Sequence, residues 1–293
     1  MIIGFFMRTE NMRINDEKDK LWLIIWGMGI LLLWIWNKIF LHGPVLEQIE
    51  RAFLNTMVIS FLVIIFATTF GWFSTLVMYF SRTLRLQVVN ILFTFILNLI
   101  RSIPQIIGIL VGYIFLTTLI YREILHSDLI KMVLIALILS IFIFLEVFDL
   151  LSDRIDYFKK SDFFNAMRVC GIRESRIINR EIILRSSFVH LLNKLIAIFG
   201  IAIFLQCSID FIISVGLSTD VSSVNLPETL GSLLAKIDSK QDILAIGYSF
   251  SHWNYFGRIF FVHLQGVTVA FLIVFTLFCI YQISNGYAKR HRL

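Results

Sequence analysis

Five ionisable side chains sit in or beside long apolar runs: Arg101, Glu146, Asp149, Lys194 and Asp210. A charge in hydrocarbon is costly. Where one persists it pairs, snorkels to the interface or serves a solute or ion pathway. Arg101, Glu146, Asp149 and Lys194 lie within about two turns of one expected membrane face, where pairing or snorkelling suffices. Asp210 lies toward the opposite face. It is the candidate for a solute path, the plainer alternative being a residue at the outer interface.

A second group of residues suits docking. The stretch 165–185, NAMRVCGIRESRIINREIILR, is a polar, arginine-rich island between two apolar spans. Ala166, Met167, Val169 and Cys170 give a short helix a small, moderately apolar face. Gly171 stands where that helix needs a left-handed residue just past its end, and glycine takes that conformation without a Cβ clash. Ile177, Ile178, Ile182 and Ile183 then recur at helical spacing, with Arg173, Arg176, Arg180 and Arg185 on other faces. The pattern predicts a perpendicular two-helix hook, shaped to meet a soluble partner. The plain alternative is a basic loop that only orients the chain. Enzyme chemistry has no comparable signal. The chain lacks a phosphate loop ending in Gly-Lys-Ser/Thr, a His-Glu-x-x-His and a Gly-x-Ser-x-Gly. His190 and His263 read as packed or interfacial.

The elements that position these groups are membrane spans. Of 293 residues, 58% are hydrophobic and 16% charged, and 29 are Phe; mean hydropathy is +0.84. A soluble domain of this length cannot bury that much apolar surface. A hydrocarbon core of about 30 Å needs about 20 apolar residues in a helix. Six runs answer to this: 21–41, 52–80, 104–121, 129–150, 187–216 and 259–282. The run 85–101 is apolar too, but it meets Pro104, which breaks the helix there; it reads as a half-buried approach helix. MIIGFF is too short for a signal core, so 21–41 is expected to remain as an anchor. Trp22, Trp26, Trp34 and Trp36 read as its lipid-facing and interfacial anchors, and Trp253 and Tyr255 as the same before the last run. Cys170, Cys207 and Cys279 form no disulfide framework or metal spacing. Within 217–258, TLGSLLAKI is expected to lie as a short helix on the outer surface.

Lysine and arginine set the orientation. With six spans, seventeen fall on the side of the N-terminus, residues 82–85, the island and the tail. Seven fall on the other side, and Arg101 and Lys194 belong to neither. Both termini and the island are therefore expected in the cytoplasm. The net charge of +6 follows from this bias. No basic stripe interleaved with aromatics on a soluble domain points to nucleic acid.

The island resembles the Glu-Ala-Ala motif of ATP-binding-cassette (ABC) importer permeases, where Glu-Ala-Ala, three residues, Gly and an Ile-rich helix closing on Leu-Pro engage the ATPase. The resemblance runs from about residue 45 to the end. RAFLNTMVISFLVIIFATTFGW resembles the family's second span, RSIPQIIGILV its next. FLQCSIDFIISVGLS and LPETLGSLLA are similar to segments of the dipeptide, oligopeptide and nickel branch, with Leu230 where that branch has Trp. Asn165 stands where the family has Glu, Met167 replaces the second Ala and Leu184 the Pro. Losing the Glu removes a charged contact, and Met167 asks for a hollow on the partner.

The resemblance implies an all-α polytopic membrane protein of about six transmembrane helices with the type I ABC importer permease (MetI-like) fold. Residues 1–44 would be the cytoplasmic N-terminus and first anchor, and 45–293 the permease domain. That domain has a coupling helix at 161–185 and an extracytoplasmic loop at 217–258. It assigns ATPase coupling to Asn165, Ala166, Met167, Arg168, Gly171, Ile172, Arg173, Arg176, Ile177 and Ile178, and leaves Asp210 as a possible substrate-path residue. No cofactor is bound directly; ATP–Mg belongs to two cytoplasmic ATPase subunits. A second permease subunit, usually a different chain, and an extracytoplasmic solute-binding protein complete the assembly in the bacterial inner membrane. The cargo implied is peptides or similar small solutes. Within the family the alternative is a phosphonate or metal-chelate importer. Outside it the rival is a stand-alone secondary transporter or channel, which should carry inverted repeats or paired mid-membrane charges.

In a cysteine-free background, an impermeant thiol reagent added outside intact cells should label Lys240→Cys and miss Ser175→Cys. Labelling at 175 would reverse the orientation.

Overall fold

In hydrocarbon each segment must close its own backbone hydrogen bonds, and a chain this apolar does so by helix. The computed structural model describes residues 17–216, 226–236, 244–245, 247–255, 257, 261 and 264–291, and these are all-helical with connecting turns. The elements are α1 (Lys18–Phe40), α2 (Gly43–Thr83), α3 (Gln87–Ser102), α4 (Gln105–Tyr121), α5 (Asp128–Lys159), α6 (Asp162–Val169), a π-helix (Ile177–Ser186), α7 (Phe188–Gly216), α8 (Leu230–Ala235) and α9 (Leu264–His291). Arg8, Arg13, Lys240, Arg258, His263 and Arg292 lie outside the described residues.

The protein is a multi-pass membrane protein. Helices α1, α2, α5, α7 and α9 are each long and apolar enough to cross a bilayer. The expected sixth span, the single run 104–121, is not one such helix. That run is α4, 17 residues and about 25 Å long at 1.5 Å per residue, short of a hydrocarbon core alone. It reaches the length of a span only together with α3, from which it is bent by 96°, the geometry of a broken span or a re-entrant loop. The break falls at Ile103–Pro104, where a proline following an extended residue cannot continue a helix. Helix α3 is amphipathic but mostly exposed, with Leu97 its buried residue. The half-buried approach helix expected there is instead largely exposed.

Two helices overrun their apolar windows. α2 is 41 residues and α5 is 32, about 60 and 48 Å. They pack along each other as the spine of the bundle and project together beyond a 30 Å core. Helix α4 closes on α5 through Gly108 and Gly112, whose missing side chains leave room for Phe142 and Ile138. The main core runs through Ile59, Val63, Tyr113, Leu139, Ile143, Leu151 and Ile198. A second, around Ile49, Ile203, Leu230, Leu233 and Val269, joins α9, α8 and the first half of α2 to α7.

Helix α1 packs on α9. Trp26 Nε1 donates to Thr276 Oγ1 at 3.2 Å and Trp34 Nε1 to Glu50 Oε1 at 2.6 Å. Two of the four tryptophans expected as lipid-facing and interfacial anchors therefore hydrogen-bond within the protein, and Trp22 packs on the Phe278 ring and Trp36 on the Phe261 ring.

Helix α8 also departs from expectation. It does not lie on the surface: Leu230 and Leu233 are 0% exposed, and the helix packs against α7, α9 and α2. Thr229 caps it, its hydroxyl accepting from Ser232 N–H while Ser232 Oγ accepts from Thr229 N–H. The approach is close enough that a Cβ at Gly231 would sit 2.7 Å from Cys207 Cα. Gly231→Ala should therefore lower the thermal melt of the purified protein, corresponding to about 1–3 kcal/mol of overpacking, with α8 more exposed to hydrogen exchange than in wild type. An unchanged melt would place α8 elsewhere.

Candidate functional site

The island forms a short helix, a glycine turn and a returning helix, here called the hook. Helix α6 ends at Cys170, and Gly171 follows with φ +76°, as the sequence predicts. Gly171 N–H donates to Arg168 C=O at 2.9 Å and Ile172 N–H to Met167 C=O at 3.2 Å. This pair closes the helix through a left-handed glycine. Among the described residues no atom lies near where a Gly171 side chain would go, so glycine is required by conformation and not by space.

Beyond the turn the chain differs from the expected α-helix. After one turn at Glu174–Arg176 it runs as a π-helix through Ser186. Ile177, Ile178, Ile182 and Ile183 are all buried. The pairs 177/182 and 178/183 are five apart, the hydrogen-bond step of a π-helix. That spacing was the available signal, and a 3.6-residue reading passes over it.

The hook is tied to the projecting ends of α2 and α5. Tyr79 Oη donates to Glu174 Oε2 at 3.3 Å, and Trp72 Nε1 to Asn179 Oδ1 at 2.9 Å. Arg168 Nε meets Glu174 Oε1 at 3.1 Å across the Gly171 turn. Arg154 Nε donates to Ser187 Oγ at 3.2 Å, and Lys159 sits 5.4 Å above the Tyr79 ring. Glu174, Tyr79, Trp72 and Asn179 were not legible in the sequence. The turn interrupts periodicity, and two of the four come from about 95 and 107 positions away.

The predicted coupling residues divide. Asn165, Ala166, Arg168, Gly171, Arg173 and Arg176 are exposed, as is Val169 at 88%. Met167 and Ile172 are half-buried against the protein's own core, so Met167 needs no hollow on a partner. Ile177 and Ile178 are 0% exposed; they anchor the hook and are not offered to a partner. The presented surface is thus α6 and the turn.

The remaining ionisable groups are paired or capped. Lys194 pairs with Glu146, and Arg101 with Asp149. Asp210 is buried at the far end of α7, accepting from Thr229 Oγ1 at 2.5 Å; it is not at an open interface. Arg290 meets Asp19 at 2.9 Å and Ser284 Oγ donates to Asn193 Oδ1 at 3.0 Å. The start of α1, the end of α9 and the hook therefore share one end of the bundle, with most of the described Lys and Arg residues. A shallow cleft of about 70 Å³ lies there between α2 and α5, lined by Thr75, Tyr79, Arg82, Asp156 and Lys159 among others; it is too small for a solute.

No model of a known protein family matches the chain, and no curated protein matches it.

Glu174→Gln removes a partly exposed ion pair worth about 0.2–1 kcal/mol. The melt of the whole protein should hardly move, while amide exchange at residues 165–173 should speed up. Unchanged exchange there would show that Glu174 does not hold the hook.

Proposed function

We propose that this chain is the membrane-spanning permease subunit of an ATP-driven ABC importer for peptides or similar small solutes, with the type I importer permease fold. The observation that carries the reading is the hook. A short exposed helix and a glycine turn stand on a rigid, buried isoleucine root at the end of the two longest helices. A soluble motor pulling on α6 would move α2 and α5 as levers, because Tyr79, Trp72 and Arg154 fasten the hook to them. The basic residues gathered at that end support a cytoplasmic position for the hook and both chain ends. ATP–Mg would sit in two ATPase partners. A second permease subunit would complete the path, and an extracytoplasmic binding protein would deliver the solute. Phosphonates or metal chelates are the alternative cargo.

Asn165 and its neighbours would form the contact. Since Arg168 is already engaged by Glu174, a Glu restored at Asn165 would face Arg168 and Arg173 with only a few tenths of a kcal/mol of helix-surface pairing. Its effect should appear across the moving interface and not in stability.

The broken α3–α4 span and buried Asp210 favour one second reading, a stand-alone secondary transporter, since such proteins build sites at interrupted helices. Nucleotide dependence separates the two. Gly171→Val costs roughly 1–2 kcal/mol at φ +76° and misdirects α6. It should leave membrane insertion intact while abolishing ATP-dependent uptake and ATPase co-purification. Asn165→Glu and Asn165→Ala should each alter ATP hydrolysis stimulated by loaded binding protein. Wild-type uptake in Gly171→Val, or uptake independent of ATP, sinks the importer reading.

A further inference from the structure

At the far end of α7, polar side chains from three parts of the chain converge beneath the segment carrying α8. Asp210 and Gln206 lie one turn apart on α7, Tyr113 comes from α4, and Thr229 caps α8. The Tyr113 hydroxyl and the Gln206 amide reach toward the Asp210 carboxylate, yet Tyr113 Oη, Gln206 Oε1 and Gln206 Nε2 complete no hydrogen bond. Gln206 and Tyr113 are 0% exposed and Asp210 is 7% exposed. Among the described residues no cationic side chain acts on Asp210.

Buried polar groups are normally satisfied, and buried charges are normally paired. Even the less buried carboxylates of the spans, Glu146 and Asp149, are paired, with Lys194 and Arg101. Asp210 is not. Among the described residues its one good contact is the Thr229 hydroxyl, which is neutral. Ordered water would satisfy the amide and the phenol but leave the charge unbalanced.

We propose that Asp210, Gln206, Tyr113 and Thr229 form a binding site for one small monovalent cation of the sodium class. Asp210 supplies the balancing charge through its free oxygen. Gln206 Oε1 and the two hydroxyl oxygens supply neutral oxygen ligands, the donor type that hard cations prefer. A divalent ion would call for more carboxylates, and the described residues hold no group of three His, Cys, Asp or Glu that could bind a metal. Because Thr229 is both a ligand and the cap of α8, occupancy fastens the 226–236 segment onto α7 and closes that end of the bundle. The site does not depend on the identity of the transported solute or on an ATPase.

The test is the thermal melt of the purified full chain in lipid nanodiscs at constant ionic strength and pH, with sodium exchanged for potassium, lithium or choline. Wild type should show a saturable rise in Tm with sodium that choline does not reproduce. Asp210→Asn, which keeps shape and removes the buried charge, should lose the rise and melt in choline no lower than wild type. Gln206→Leu should weaken the rise. The proposal is overturned if Asp210→Asn keeps the full sodium response, or if wild type responds to pH but not to cation identity, which makes the occupant a proton. Should the variants fail to fold, saturable binding of radiolabelled sodium to wild type, displaced by unlabelled sodium but not by choline, decides the matter; its absence over the millimolar range overturns the proposal.

Discussion

Hydrocarbon does not hydrogen-bond, so each charge and each interrupted turn of backbone within it has to be answered by the protein itself. The arrangement of this chain follows from how that demand is met. Lys194 finds Glu146 and Arg101 finds Asp149, which pins α7 and the α3–α4 break to α5. Beyond the break at Ile103–Pro104, α4 closes on α5 through Gly108 and Gly112. Thr268 Oγ1 donates to Asn37 Oδ1 at 2.9 Å, fastening α1 to α9 at the far end. Polar contacts, few in number, thus set the register of helices whose apolar surfaces alone would slide, since lipid is as apolar as the packed side chains.

The hook meets the same demand at the bundle's end. A left-handed glycine closes α6 and satisfies carbonyls that a helix end leaves open. The π-helix, its isoleucines buried, packs the returning helical segment onto α5 and α7, and Trp72 and Tyr79 tie it to α2 by hydrogen bonds. The result combines a fixed root with an exposed tip, the arrangement on which the proposed docking of a soluble partner rests. The Asp210 cluster is the exception, with a buried carboxylate answered only by neutral groups, and that imbalance is what points to a bound cation.

Much was legible in the amino-acid order. Apolar run length dictated a polytopic helical protein, because about 20 residues must cross a fixed thickness. Pro104 dictated the break, since proline lacks the N–H and constrains the residue before it. Gly171 dictated the left-handed turn, because only glycine enters that region without a Cβ clash. Each is a local consequence of one residue or one run, so no knowledge of distant contacts was needed.

Tertiary structure decided the rest. Pro104 marks where α3 and α4 part, but the 96° between them, a broken span or a re-entrant loop, is seen only in the folded chain. Burial of α8, instead of its expected surface position, depends on Gly231 meeting the Cys207 backbone, a contact between segments with no periodic relation. The π-helix needs a core in which isoleucines five apart are both buried. Ile177 and Ile178 became roots, and Glu174 the brace, because Tyr79 and Arg168 happen to converge there. Asp210 changed from a possible interface residue into the centre of a buried cluster when Tyr113, Gln206 and Thr229 were brought around it. Burial and pairing are properties of the whole packed assembly, and the order of residues along one helix carries no record of what another helix will place beside it.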